Sequence, residues 1–209
     1  MDLITSYYNS PNTERQNEIN QCLINNIKNP LIGNIFLLND KHYNIDFINE
    51  LSNYKKVVEI IIPNKTNERL TFKEAIDFAN TKLENKTIIL ANSDIYYDET
   101  LQLLTDYNLQ NKVLALTRYE NKILLKYDDA QDTWIFNSPL NIDTNLINFH
   151  FGYPGCDNRF AAILDENNYN VLNPCYTIKS HHLHNSNFRT YDQSVRIKGK
   201  YLFLKHQKL

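Results

Sequence analysis

The 209-residue sequence predicts an α/β fold, with a mostly parallel central sheet flanked by helices. Two observations carry this. Short, β-branched apolar runs alternate with segments of helical periodicity through the first half of the chain, as in βαβ units with right-handed crossovers. Each run also stops abruptly in polar residues, and open α/β sheets place ligands at the carboxyl ends of their strands. The centre of the pattern is the segment 87–98, TIILANSDIYYD. Ile88, Ile89, Leu90 and Ala91 form a run short enough for a strand buried on both faces, and it ends at Asn92, Ser93 and Asp94.

Taken in order, residues 3–8 read as a first strand, broken by Asn9, Ser10 and Pro11. Across 12–28 the apolar Ile19, Cys22, Leu23 and Ile27 fall at helical spacing. Residues 32–38 form a second buried strand ending in Asn39 and Asp40, and 56–62 a third, closed by Pro63 and Asn64. Phe72, Ala75, Ile76, Ala79 and Leu83 mark the clearest amphipathic helix, which leads into the central strand. Residues 99–107 read as helical and 112–118 as a strand. The rest is less regular. The segment 128–136 (DDAQDTWIF) combines three carboxylates with the only tryptophan. Gly152, Pro154 and Gly155 mark a tight loop, and Asp157 opens an apolar helical run through Phe160, Ala161 and Leu164. There is no linker, repeat or low-complexity block, so the chain reads as one domain over 1–209.

Lys plus Arg number 22 against 24 Asp plus Glu, which gives no electrostatic reason to expect a nucleic-acid partner or an anionic membrane. No apolar run approaches the ~20 residues of a membrane span, and MDLITSYYNS lacks the basic and apolar regions of a signal peptide. Cys22, Cys156 and Cys175 are odd in number, far apart and without a CxxC pair, which fits reduced thiols in a cytosol-like compartment. A cytoplasmic location is the resulting expectation. The sequence is silent on oligomeric state.

The strand-end residues Ser6, Tyr7, Asp40, Asn92 and Asp94 are expected along one edge of the sheet. No GxGxxG or GxxxxGK[ST] is present, and glycine occurs only four times. A phosphate cradle of glycine-loop amides is therefore not expected, and a metal-mediated grip on phosphate is the better candidate. On position alone Asp94 either caps the next turn or holds a divalent cation. Asp157 is either a helix N-cap or a base. The run Ser180-His181-His182-Leu183-His184 is either a solvated surface segment or the source of an imidazole that completes a metal site begun by Asp94.

In order and spacing, LITSYY, FLLND, LANSDIYYD, GYPGCDNRFAAIL, NYNVLNPC and SHHLH resemble the motifs of the GT-A glycosyltransferases. The likeness covers nearly the whole chain. More narrowly, NSDIYYDETL, QDTWIF, PGCDNR and HLHNSNFRTY are similar to small GT-A-like proteins of large DNA viruses, plants and bacteria, which implies a viral-encoded protein acting in a host cytoplasm as one origin. The resemblance implies a glycosyltransferase (EC 2.4) with a nucleotide-binding half, 1–98, and an acceptor or catalytic half, 99–209. Its donor would be a nucleoside-diphosphate sugar, a UDP-sugar first, and its acceptor a glycan or glycoprotein hydroxyl. It implies donor contacts from Ser6, Tyr7, Asp40, Arg69, Asn92, Ser93 and Asp94, and acceptor or sugar contacts from Gln131, Asp132, Trp134, Asn158 and Arg159. Asp94, His182 and His184 would hold Mn2+ or Mg2+, and Asp157 would be the general base. Arg189 and Tyr191 would close over the phosphates.

Three departures from the family pattern are visible. Asn92 replaces the first acid of the DxD-like motif, leaving an amide oxygen as a weaker ligand than a carboxylate. Cys156 replaces the acid before the base, and Asn168 or its neighbour stands where a glycine is customary. One base on the face opposite the leaving group implies inversion at the anomeric carbon, with retention as the alternative. Two rival readings stay open: a nucleotide-sugar-binding module without catalysis, and a metal-dependent hydrolase using the histidine cluster with Asp128, Asp129 and Asp132.

Overall fold

The computed structural model describes residues 1–63, 65, 68–128, 130–186, 188 and 195–209. Its strands are β1 (Asp2–Thr5), β2 (Ile35–Asn39), β3 (Val57–Ile61), β4 (Thr87–Ala91), β5 (Ile95–Tyr97), β6 (Lys112–Thr117), β7 (Tyr119–Glu120), β8 (Ile123–Leu124), β9 (Gln131–Asn137), β10 (Asn170–Leu172) and β11 (Ser180–His182). The helices are α1 (Thr13–Lys28), α2 (Phe72–Lys82) and α3 (Cys156–Glu166). A seven-stranded sheet runs β10-β6-β9-β4-β1-β2-β3, and a four-stranded one runs β5-β11-β7-β8. The chain moves outward from β1 to β2 and β3, then returns to β4 on the other side of β1. That reversal opens a crevice beyond the ends of β1 and β4.

Alternation along β4 explains why it is central. Ile88 and Leu90 enter one core with Phe72, Ala75, Ile76 and Ala79 of α2 and Phe160 and Ile163 of α3. Ile89 and Ala91 enter a second core with Ile19, Leu23 and Ile27 of α1. Both faces of the sheet are thus covered, and the strand has no polar side to show.

Each helix is set by its local sequence. Asn12 caps α1 by accepting from Arg15 N at 2.8 Å. Thr71 and Glu74 form a capping box on α2, with Glu74 N donating to Thr71 Oγ1 at 3.1 Å and Thr71 N to Glu74 Oε2 at 2.8 Å. At the end of α3, Tyr169 N donates to Leu164 O and Asn168 N to Asp165 O, with Asn168 at φ +64°. Asn168 takes a left-handed position of the kind glycine usually fills at a helix end.

One sequence expectation needs correction, and two further elements carry no signal in the sequence. Residues 99–107 are not an α-helix but a 3-10 turn over Glu99–Leu104, capped by Asp98. The segment around Trp134 is a central strand: β9 runs antiparallel between β4 and β6. The short β5 and β11 pair antiparallel, with Ser180 opposite Tyr97 and His182 opposite Ile95. This second sheet carries the histidine run back to the end of β4. No helix among the described residues is long and apolar enough to cross a membrane. Cys22, Cys156 and Cys175 are free and buried.

Candidate functional site

A cleft of about 950 Å³ lies at the strand ends, within the size range of small-molecule sites. Ser6, Tyr7, Asp40, Arg69, Asn92, Ser93 and Asp94 all line it, drawn there by the ends of β1, β2 and β4. At its β1–β2 end, Tyr7 N donates to Asn39 Oδ1 at 2.7 Å and Tyr43 Oη to Asp40 Oδ1 at 2.7 Å. The Tyr7 and Tyr43 rings meet edge to face at 5.9 Å. An acid bonded to one of two contacting aromatic rings suits a hydrogen-bonding, flat ligand.

Asp94 is the centre of charge. It is 6% exposed, and its Oδ2 accepts from His182 Nε2 at 3.0 Å and from Arg15 of α1. Burial alone would raise its pKa, but the charges of His182 and Arg15 outweigh it and hold the carboxyl far below the usual range. His182 shows the reciprocal effect. Burial opposes its charge, yet Asp94 and then Glu120 push its pKa up to about 9. Its Nδ1 lies 3.3 Å from Glu120 Oε1, an ion-pair distance without an aligned hydrogen bond. His184 is the opposite case: burial, Arg15 and His182 lower its pKa and keep it neutral.

Asp94, His182 and His184 each offer a ligand atom within 4.8 Å of the others. Asp94 Oδ1 and His184 Nε2 are buried without a hydrogen-bond partner among the described residues. A carboxylate oxygen and the nitrogen of a neutral imidazole left unsatisfied together fit a divalent cation, which His182 would join only by giving up its proton. His181 points the other way, because neighbours on a strand face opposite sides. Its Nε2 pairs with Asp98 Oδ2 at 2.9 Å, and its ring stacks on Tyr96.

Asn92 is turned to a neighbour. Its Nδ2 donates to Asp132 Oδ1 at 2.8 Å, while Arg118 donates to Asp132 Oδ2 at 2.5 Å and to Glu120 Oε1 at 2.9 Å. An aspartate at 92 would put two carboxylates in contact, so the amide is the residue this wall accommodates. Asp132 lines the cleft.

Asp157 also lines the cleft, behind the loop 152–155. It is not the N-cap: Gly155 holds that position at φ +82°, and Asp157 lies in the first turn of α3. A Cβ on Gly155 would meet Tyr201 Oη at 2.6 Å, so the turn that presents Asp157 requires glycine for both space and backbone. Phe151, which precedes the loop, stacks on Phe72 at 4.0 Å and anchors it to the core.

Three predicted contacts are not at the cleft. Trp134 is 1% exposed and packs edge to face on Phe72 and Phe160, because β9 alternation turns it into the core. Gln131 is fully buried, donating to Asp128 O at 3.0 Å and Thr117 Oγ1 at 3.3 Å. Arg159 lies against Gly199 and donates to Lys200 O at 3.3 Å, fastening the C-terminal segment. Asn158 lines the cleft but is 2% exposed, and its backbone oxygen accepts from Leu202 N at 3.0 Å. Arg189, Tyr191 and Asp129 lie outside the described residues.

Sequence reading missed Arg15, Glu18, Arg118 and Glu120. A signal existed for the first two. They share the α1 face with Ile19 and Cys22, and charges continuing an apolar stripe mark a buried ion pair.

Sheet order and the switch-point cleft define a Rossmann-like α/β fold. It is the GT-A form of that fold, matched by glycosyltransferase structures. S. aureus TarS 1-349, determined in complex with UDP-GlcNAc, matches at TM-score 0.57 and 11% identity over 94% of this chain and 61% of that one. The apo-form glycosyltransferase GlyE of Streptococcus pneumoniae TIGR4 matches at TM-score 0.50 and 14% identity, over 84% of this chain and 45% of that one. The chain thus spans less than two thirds of these neighbours. No protein-family model matches the sequence, and no curated protein matches it significantly.

Proposed function

We propose that the chain is a glycosyltransferase that moves a sugar from a nucleoside-diphosphate sugar to a hydroxyl of a glycan or glycoprotein, with inversion and with Mn2+ or Mg2+ as cofactor. The observation that carries this reading is the meeting, in one switch-point cleft, of Asp40, the Asp94–His182–His184 group and Asp157. TarS was determined with UDP-GlcNAc, which makes uridine nucleotides the first donors to try. The narrower likeness to proteins of large DNA viruses, plants and bacteria, and with it a cytoplasmic setting, rests on the sequence motifs alone.

In this reading the base and ribose sit between Tyr7 and Asp40, and the diphosphate lies beside Asp94. Asp94, His182 and His184 would hold the divalent ion, which supplies Lewis-acid compensation for charge developing on the leaving diphosphate. Asp132, fixed by Arg118 and Asn92, offers carboxylate oxygens to sugar hydroxyls from a wall that needs no rearrangement. Asp157 takes the proton of the acceptor hydroxyl as its oxygen attacks the anomeric carbon. The amino end of α3 favours the ionised carboxylate that this step needs.

The test is release of nucleoside diphosphate from a panel of UDP- and GDP-sugars, with Mn2+ and with EDTA. The expected result is release from one donor that stops when metal is removed. Tight donor binding with no release, under any acceptor or metal, would favour the binding-module reading. Neither binding nor release would refute both.

A further inference from the structure

Arg15 is an unusual residue for its place. It sits in the first turn of α1, where the helix dipole disfavours a cation, yet its side chain is 7% exposed and lines the cleft. Its Nη1 donates to Glu18 Oε2 at 3.0 Å and to Leu183 O at 3.0 Å, and its Nη2 contacts Asp94 Oδ2. Glu18 in turn accepts from Ser186 N at 2.8 Å and Ser186 Oγ at 3.0 Å. Two residues one turn apart on α1 therefore hold the segment that carries His184, and one of them also sits on Oδ2 of the carboxylate whose Oδ1 a metal would use.

Resting on the donor-site reading above, we infer that Arg15 is the resident counter-ion of Asp94 and competes with a divalent cation for it. Metal and nucleoside diphosphate then load together. A single carboxylate cannot fully serve a guanidinium, an imidazolium and a divalent ion at once, and the ion would also face the charge of Arg15. A diphosphate changes the balance. It offers acceptor oxygens that match the guanidinium fork, drawing Arg15 away from Asp94 and leaving the carboxylate to the ion. Coupling of this kind is reciprocal: the ion tightens the diphosphate by the same factor by which the diphosphate tightens the ion.

The experiment is Mn2+ titration of the full chain, followed by the electron paramagnetic resonance of free Mn2+, with and without UDP. Wild type is expected to bind Mn2+ weakly alone and at least about tenfold more tightly with UDP. Arg15→Gln is expected to bind Mn2+ alone at least about tenfold more tightly than wild type, with the UDP effect reduced to within about threefold. Mn2+ affinity of Arg15→Gln equal to or below wild type would overturn the inference while leaving the donor site standing. Wild type that binds neither UDP nor Mn2+, alone or together, would instead overturn the functional reading and the inference with it. Circular dichroism checks the fold. Should Arg15→Gln not fold, Glu18→Gln decides. It leaves Asp94 as the anionic partner of Arg15, so Mn2+ should bind at least about threefold more weakly, and unchanged or tighter binding would overturn the inference.

Discussion

Replacing Asp94 by Asn removes one buried negative charge and leaves Arg15 and His182 directed at the same neutral oxygen. The sequence alone suggests that a strand-end residue can be replaced with the fold intact. The structure argues otherwise, because breaking a buried ion pair on one side costs about 3–5 kcal/mol. For a chain of this length each kcal/mol moves the melting temperature by about 2–4 °C, so Asp94→Asn should melt about 6–20 °C below wild type in EDTA. The gap should depend on pH. His182 has its pKa raised from 6.5 to about 9, so its contribution is complete below about 6.5 and is lost as pH rises through about 9. That contribution is on the order of 3 kcal/mol. Asp94 is shifted the other way, so its contribution is complete above its ordinary 3.8 and is lost only in strong acid. Calorimetry near pH 6 and near pH 10 should therefore find the gap wide at the first and narrower at the second. A gap under about 3 °C, or one constant with pH, would refute the charge assignment at Asp94.

Two further substitutions separate site from scaffold. Asp157→Asn removes no cap, so it should lose at most about 1 kcal/mol of helix-dipole stabilisation and keep donor affinity. Its transfer rate should fall by about 10²–10⁴, measured as nucleoside diphosphate release, and a fully active variant would remove Asp157 from the chemistry. Trp134→Ala should cost about 3–5 kcal/mol in thermal unfolding while UDP affinity of the folded fraction is unchanged. Lost affinity without lost stability would return Trp134 to the site.

How far the sequence could be read depended on whether the signal was local. Continuous apolar runs and the period of α2 are local, and β1 to β4 and the three helices follow from them within a few residues. The polar strand ends were legible for the same reason, since a strand buried on both faces leaves its polar residues only at its tips. What was not legible needed pairing. β5, β7, β8 and β11 are two or three residues long, too short for any periodicity, and exist only because they bond to one another. Trp134 lies two residues after Asp132, and only the register of β9 against β4, Leu90 opposite Trp134, turns it inward. The charge network around Asp94 joins positions 15, 94, 120 and 182, which no spacing rule connects.

The most direct measurement is a crystal structure of the full chain with UDP and Mn2+. Expected are the uracil or ribose within hydrogen-bonding reach of Asp40, beside Tyr7, and Mn2+ held by Asp94 and by His182 or His184. A nucleotide bound away from Asp40, or a metal held without Asp94, would contradict it.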